Sequence, residues 1–212
     1  MTEVIIRNDT RELILEAADA LLAHYGYQKT TMEDIAQKAG LSRRTLYLHF
    51  QNKEEVALAT IDRIIERLVG ELEKVAAVPA PAARRVSEML VTRVLFMFDA
   101  SVERYHAYDE MMRELRPRYM LRREEYMQSE ALVFARVLED GMREGEFQVQ
   151  EPYETAQLLI LATNALLPFS LSPRQLGSRA EIEHRICRLA ELLGNGLRVP
   201  AGSRPGTGPE MD

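Results

Sequence analysis

The sequence predicts an all-α chain in which three short N-terminal helices lead, through a long fourth, into a larger helical bundle. Three observations carry this. Apolar residues recur at helical spacing along the chain, and no run of alternating β-branched residues competes with that pattern. Residues suited to helix N-caps (Asp9, Thr31, Ser42, Asn52) stand directly before apolar-periodic runs. Glycine and proline fall at segment ends, as at Gly26, Gly40, Pro79, Pro81, Gly145 and Pro152.

Taken in order, Asp9 and Glu12 read as a capping box opening the first helix, with Leu13, Ala17, Leu21 and Tyr25 on one face and Gly26 as its stop. A short second helix follows Thr31 and buries Met32, Ile35, Ala36 and Ala39. Gly40 supplies the positive φ of a C-cap, and Ser42 caps a third helix that breaks at Gln51 and Asn52. Asn52 with Glu55 opens the fourth helix, which runs to about Ala77 before Pro79 and Pro81. The small helices are too short to stand alone, so they must pack on one another. Further helices are expected near 82–100, 103–115, 118–144, 152–170 and 179–195. The glycine- and proline-rich tail 200–212 has almost no apolar content and is expected to be disordered. The resulting division is 1–52, 53–199 and the tail.

Composition excludes several classes. The 212 residues are 46% hydrophobic and 28% charged, the balance of an ordinary globular protein. The first residues lack a basic segment followed by an apolar run, so no secretory leader is expected. The longest apolar stretch, 158–171, is short and interrupted by Thr163, Asn164, Pro168 and Ser170, which fits a core or interface helix better than a membrane span. A single cysteine, Cys187, excludes an intrachain disulfide framework and is read as a small packed side chain; a cytoplasmic location is expected. There is no nucleophile elbow, phosphate-binding glycine loop or paired metal-ligand motif, so no catalytic residue, cofactor or metal is expected. The pairs Glu103/His106 and Glu181/His184 have the spacing of di-iron ligands, but the helical wheel turns them away from the apolar stripes.

The third helix is the most informative segment. The net charge is −6, yet no acid lies between Ser42 and Lys53, a stretch holding Arg43, Arg44, Tyr47 and His49. Residues 1–53 contain seven Lys or Arg and seven Asp or Glu, so the whole negative excess lies beyond them. Leu46 and Phe50 face the core with Leu41, Ile35 and Ala39, leaving Arg43, Arg44, Thr45, Tyr47, Leu48 and His49 on the remaining arc. A short helix, a glycine turn and a second helix with an exposed polar face form a helix-turn-helix, whose second helix enters the major groove of DNA. An arginine fork can bond guanine O6 and N7 together, and Leu48 can meet a thymine methyl. Thr30, Thr31, Tyr47 and Lys53 are expected on phosphates, beside Ser42 at the helix start. The alternative is a solvated face that only keeps the protein soluble; exposed Tyr47 and Leu48 and the missing acids favour the contact surface.

The run "TTMEDIAQKAGLSRRTLYLHFQNKEEV" closely resembles the N-terminal signature of TetR-type transcriptional regulators. The likeness spans about residues 9–60 and includes turn, core and contact positions; the remainder of the chain matches in helical layout only. One departure is Arg44, where many members carry glycine, so the operator is not to be read across from relatives. The resemblance implies a homodimer with an N-terminal helix-turn-helix DNA-binding domain and a helical-bundle ligand-binding and dimerisation domain. It implies ligand-responsive transcriptional regulation, most often repression; the alternative is a constitutive DNA-binding dimer without an effector.

Between 89 and 134 the chain is rich in methionine and tyrosine, which suit a pocket for an apolar or aromatic small molecule. The candidates are Met97, Tyr105, Tyr108, Met111, Met112, Tyr126, Met127 and Phe134, against the plainer reading of helical core. The run 152–170 is apolar nearly all round, with Ala156, Ala162 and Ala165 allowing close approach. With the stripe Ile182, Ile186, Leu189 and Leu193 it is expected to form a four-helix interface across a two-fold axis.

Overall fold

Thr31, Ser42 and Asn52 each hold extended backbone and turn the chain into a helix. In the computed structural model, residues 2–102, 105–167, 175 and 177–197 are described, the side chains of 2–8, 102, 105–110 and 112 excepted. The helices are α1 (Thr2–Tyr25), α2 (Met32–Lys38), α3 (Arg43–His49), α4 (Lys53–Ala76), α5 (Ala82–Val102), α6 (Tyr105–Arg143), α7 (Pro152–Thr163) and α8 (Arg179–Leu197). A 3-10 turn, Asn164–Leu166, follows α7. The fold is all-α: a three-helix N-terminal helix-turn-helix domain joined to a helical bundle.

The caps explain the short helices. Thr31 Oγ1 accepts from Asp34 N at 3.2 Å while the Asp34 carboxylate accepts from Thr31 N at 3.0 Å, a reciprocal capping box. Ser42 Oγ accepts from Thr45 N at 3.1 Å, and Asn52 Oδ1 from Glu55 N at 2.9 Å. Gly40 has φ +68°, and Leu41 N returns to Ala36 O at 2.9 Å, closing α2 with a left-handed residue that a side chain would strain. Leu46, fully buried, anchors α3 in the core, where α3 packs on α2.

Several expectations are corrected. The first helix begins at Thr2, so Asp9 is an exposed residue inside it and not a cap; once nucleated, each added residue gains a backbone bond. Its buried stripe is Ile14, Leu15, Ala18 and Leu22 with Ala17 and Leu21, whereas Leu13 and Tyr25 are exposed, because α1 packs on α2, α4 and α6 and so buries a broad face. No break separates 103–115 from 118–144. Pro117 sits inside one 39-residue helix, and buried Leu115 and Tyr119 on either side hold the two halves to the bundle despite the missing N–H.

The C-terminal pair is corrected as well. The apolar run does not continue as helix to 170: α7 ends at Thr163 in the 3-10 turn, and the tail 200–212 lies outside the described residues. Ala156, Leu159 and Ile160 face the chain's own core, as do Ile182, Ile186 and Ala190 of α8, so Ala156 and much of the expected two-fold stripe are internal. Ala165 is exposed and Ala162 half-buried, and the large apolar side chains left outward are Leu158 (65% exposed), Leu161 (50%) and Leu192 (67%). Cys187 is exposed and not packed, since Ile186 and Ala190 take the inward positions beside it. Glu181 closes the start of α8, accepting from Ser178 N at 2.7 Å, and His184 is exposed beside it.

Long-range polar ties complete the bundle. Glu146, beyond α6, accepts from Ala82 N at 2.9 Å and Ala83 N at 3.0 Å, satisfying two open donors at the start of α5. Near this point Gly141 lets α5 and Phe147 close in: a Cβ there would lie 2.3 Å from the Phe147 ring and 2.8 Å from Ala82 Cβ. Gly141→Ala should therefore destabilise the fold by about 1–3 kcal/mol through overpacking. Gly70→Ala, in open space on α4, should be neutral or stabilising by up to about 1 kcal/mol. Urea unfolding of both variants checks the pair, and equal midpoints would show that the contact at Gly141 is not tight.

Candidate nucleic-acid interface and effector cavity

On α3 the inward Leu46 fixes the rotation of the helix, and its rotation sets what faces water. Tyr47 is 50% exposed and Leu48 69%, so both side chains face water beside the arginines. Arg43 and Arg44 are exposed at the N-terminal end. The sequence showed no acid within the segment, but Glu33 of α2 reaches across to Arg43 at 3.0 Å. The pair is open to solvent on both sides, so it holds Arg43 weakly. The Arg44 guanidinium has no hydrogen-bond or ion-pair partner among the described residues. Thr45 and His49 are half-buried at the margins of the same face, and Ser42 lies at its start with its hydroxyl 2.8 Å from that of Thr45.

The flanking residues expected on phosphates are placed differently. Thr30 is buried, and its hydroxyl donates to Gly26 O at 2.8 Å, so it closes the α1–α2 turn and offers nothing outward. Thr31 is exposed, but its N–H and its hydroxyl both end on the Asp34 carboxylate. The Thr31 hydroxyl, ahead of its backbone N–H, holds that carboxyl below the usual range. Lys53 Nζ donates to Tyr27 O at 2.7 Å and lies 4.3 Å from the centre of the Tyr27 ring, which pins the α1–α2 turn to the start of α4. The face that α3 presents is therefore smaller than the sequence suggested, with Arg44, Tyr47 and Leu48 at its centre.

Two neighbouring residues of α4 tie this head to the bundle. Arg63 pairs with Asp19 and, at 3.2 Å, with Glu12, both on α1. Asp62 accepts from Arg122 and from the Tyr126 hydroxyl, both on α6. Helix α6 also touches the head directly: Gln28 Nε2 donates to Glu114 at 2.7 Å, and Arg118 pairs with Glu54 at 3.0 Å.

Behind Asp62 lies a water-sized cavity of ≈ 20 Å³. Ile65, Met97, Tyr119, Met127 and Leu167 form its apolar wall, and Arg93, Arg123, Tyr126, Glu130 and Asn164 its polar one. Of the residues expected at a pocket, Met97, Tyr126 and Met127 are here. Met111 and Phe134 are buried in the core away from the cavity lining, and the side chains of Tyr105, Tyr108 and Met112 lie outside the described residues. Apart from Tyr126, the polar wall was not anticipated. Arg93, 2% exposed, donates to Glu130, to Thr163 Oγ1 at 2.9 Å and to Asn164 Oδ1 at 2.8 Å. A lone arginine inside "MLVTRVLFMF" and the pair Thr163–Asn164 inside "LLILATNALL" were its signal, since isolated polar residues in apolar runs find one another in the core.

A family model described as bacterial regulatory proteins, tetR family, matches residues 14–60, the segment holding α2, α3 and their supports. The N-terminal segment is thus similar to the helix-turn-helix domain of tetR-family regulators. TcmR of Streptomyces glaucescens, an HTH-type transcriptional regulator, is 43% identical over 68 residues, 32% of this chain and 30% of TcmR. YfiR of Bacillus subtilis (strain 168), an uncharacterized HTH-type transcriptional regulator, is 28% identical over 155 residues, 71% of this chain and 74% of YfiR. The solved structure of a TetR/AcrR-family transcriptional regulator from Thermobifida fusca YX-ER1 superposes with a TM-score of 0.64 at 27% identity, over 90% of this chain and 100% of that one. The layout of that structure thus extends over both regions, while the family model matches the head alone. No helix among the described residues is long and apolar enough to cross a membrane.

The Tyr126 tie gives a spectroscopic handle. Burial, then the hydrogen bond and charge of Asp62, push the Tyr126 phenol well above its ordinary value. A folded value raised in this way adds stability that is present below the unfolded value of about 10 and is lost as pH rises through and above it. Tyr126 should ionise late in an ultraviolet titration, and Tyr126→Phe should delete that late step. Ionisation alongside the exposed tyrosines would contradict the Asp62 hydrogen bond.

Proposed function

We propose that this TetR-type regulator is a sequence-specific DNA-binding homodimer that acts as a ligand-responsive repressor. One observation carries the DNA half of this reading: α3 presents Arg44, Tyr47 and Leu48 to solvent from a helix whose rotation Leu46 fixes. Such a helix enters the major groove, where an arginine fork reads guanine and an apolar tip reads a thymine methyl. Arg43, held only by an exposed pair, is free to exchange Glu33 for DNA, and Ser42, Thr45, Tyr47 and His49 border the groove. The negative excess beyond residue 53 repels DNA and favours docking head first.

The dimer half rests on Leu158, Leu161 and Leu192, apolar side chains left outward on α7 and α8. Two heads joined through that face match successive major grooves when they stand about 34–36 Å apart, or a multiple of one turn. The ligand half is supported by the cavity and by its link through Tyr126 and Asp62 to α4. An occupant must prefer one head separation over another, since equal affinity for both shifts nothing. A constitutive DNA-binding dimer is the second reading, favoured by the small size of the void, which holds about one water.

Two experiments test this. Against an operator obtained by selecting genomic fragments with the purified protein, Arg44→Ala should cost about 1–3 kcal/mol and relax preference at one base pair. Unchanged binding would remove α3 from the groove. Leu161→Glu should convert the dimer to monomer or aggregate, because an unpaired charge is not tolerated in an apolar interface. Sedimentation that finds an intact dimer would move the interface elsewhere.

A further inference from the structure

We propose that the cavity beneath α5, α6 and the 3-10 turn binds an apolar molecule through a hydrogen-bond acceptor oxygen, carbonyl or carboxylate, which Asn164 Nδ2 and Arg93 hold, and that it rejects cations. The proposal rests on the ligand-responsive reading and names the chemistry of the ligand. Asn164 is 7% exposed, and its Nδ2 is buried without any hydrogen-bond partner. Buried amide nitrogens rarely stay so. Its orientation cannot be exchanged: Asn164 Oδ1 accepts from Arg93 at 2.8 Å, and a guanidinium has donors only. Nδ2 is therefore a fixed, unpartnered donor of a residue that lines the cavity.

Arg93 adds to it. A guanidinium carries five N–H groups, and Glu130, Thr163 and Asn164 accept three of them. The lining holds two arginines, Arg93 and Arg123, against the single carboxylate of Glu130, which Arg93 already engages. An ammonium entering here finds the one lining carboxylate already engaged and meets an unsatisfied donor, whereas an acceptor oxygen satisfies that donor. The void of ≈ 20 Å³ admits one such oxygen, or one water. The body of the ligand must then displace Met97 and Met127, unbranched side chains that change shape readily.

The test uses the full-length dimer and matched probe quartets: phenyl, naphthyl and octyl bodies, each bearing a methyl ketone, a carboxylate, a primary ammonium or a methyl group. Calorimetry should find the ketone or the carboxylate member of at least one quartet binding ten-fold or more tighter than its ammonium and methyl partners. A ketone preference identifies a neutral carbonyl ligand and a carboxylate preference an anionic one. Asn164→Leu should reduce that advantage at least ten-fold. Met127→Phe, which fills the void from the apolar side, should abolish binding of the preferred probe and stands in if Asn164→Leu does not fold. Tightest binding of the ammonium, equal binding across a quartet, no binding by any quartet, or a preference untouched by either variant would overturn the proposal. Operator affinity is read separately. A probe that obeys these rules but leaves operator affinity unchanged removes the ligand-responsive reading and leaves the site chemistry standing.

Discussion

The structure depends on helix α4 being held from two sides at once. Val56 to Ile61 are all buried, so this stretch of the helix is covered around its whole circumference. The next two residues then divide the work: Asp62 binds Arg122 and Tyr126 of α6, and Arg63 binds Asp19 and Glu12 of α1. A shift of α6 relative to α1 must strain one of these ties or move α4. The groups are partly buried, so their attraction is screened less than that of surface pairs and their loss would leave charges short of solvent. Physical continuity between cavity and reading helix is therefore short: Tyr126 lines the one and bonds the helix that supports the other.

Much of the head was legible in the sequence because its signals are local. Thr31, Ser42 and Asn52 cap the helices they were expected to cap, Gly40 has the positive φ, and Leu46 is the inward residue of α3. Misreadings occurred where a distant partner decides the outcome. The capping box at Asp9 is absent because the helix begins seven residues earlier, at Thr2. Thr30 has the chemistry of a phosphate ligand, but it is buried and Gly26 O takes its one hydroxyl donor. Glu33, ten residues before Arg43, answers a charge that looked unbalanced when only its own helix was read.

The bundle was less legible for the same reason. Pro117 is a helix breaker locally, yet flanking buried residues carry the helix through it. An all-round apolar helix announces that it is covered on every side but not by what, so Ala156 went inward while Leu158 and Leu161 stayed outward. The pocket expectation counted methionines and tyrosines, whereas the cavity also has Arg93, Glu130 and Asn164, drawn from three separate stretches of sequence, with Thr163 bonded to Arg93 behind them. Losing one partner of this buried ion pair would strand the other charge, so the pair ties α5 to α6.

The central claim is that α3 lies in the major groove while the dimer sets the distance between two such helices. Chemical footprinting of the selected operator tests it most directly, using dimethyl sulfate, which marks guanine N7 in the major groove and adenine N3 in the minor groove. The account predicts protection of guanine N7 in two patches separated by about 34–36 Å along the duplex, or a whole multiple of one turn. Bound operator with protection confined to adenine N3, or with no guanine N7 protection at all, would contradict it.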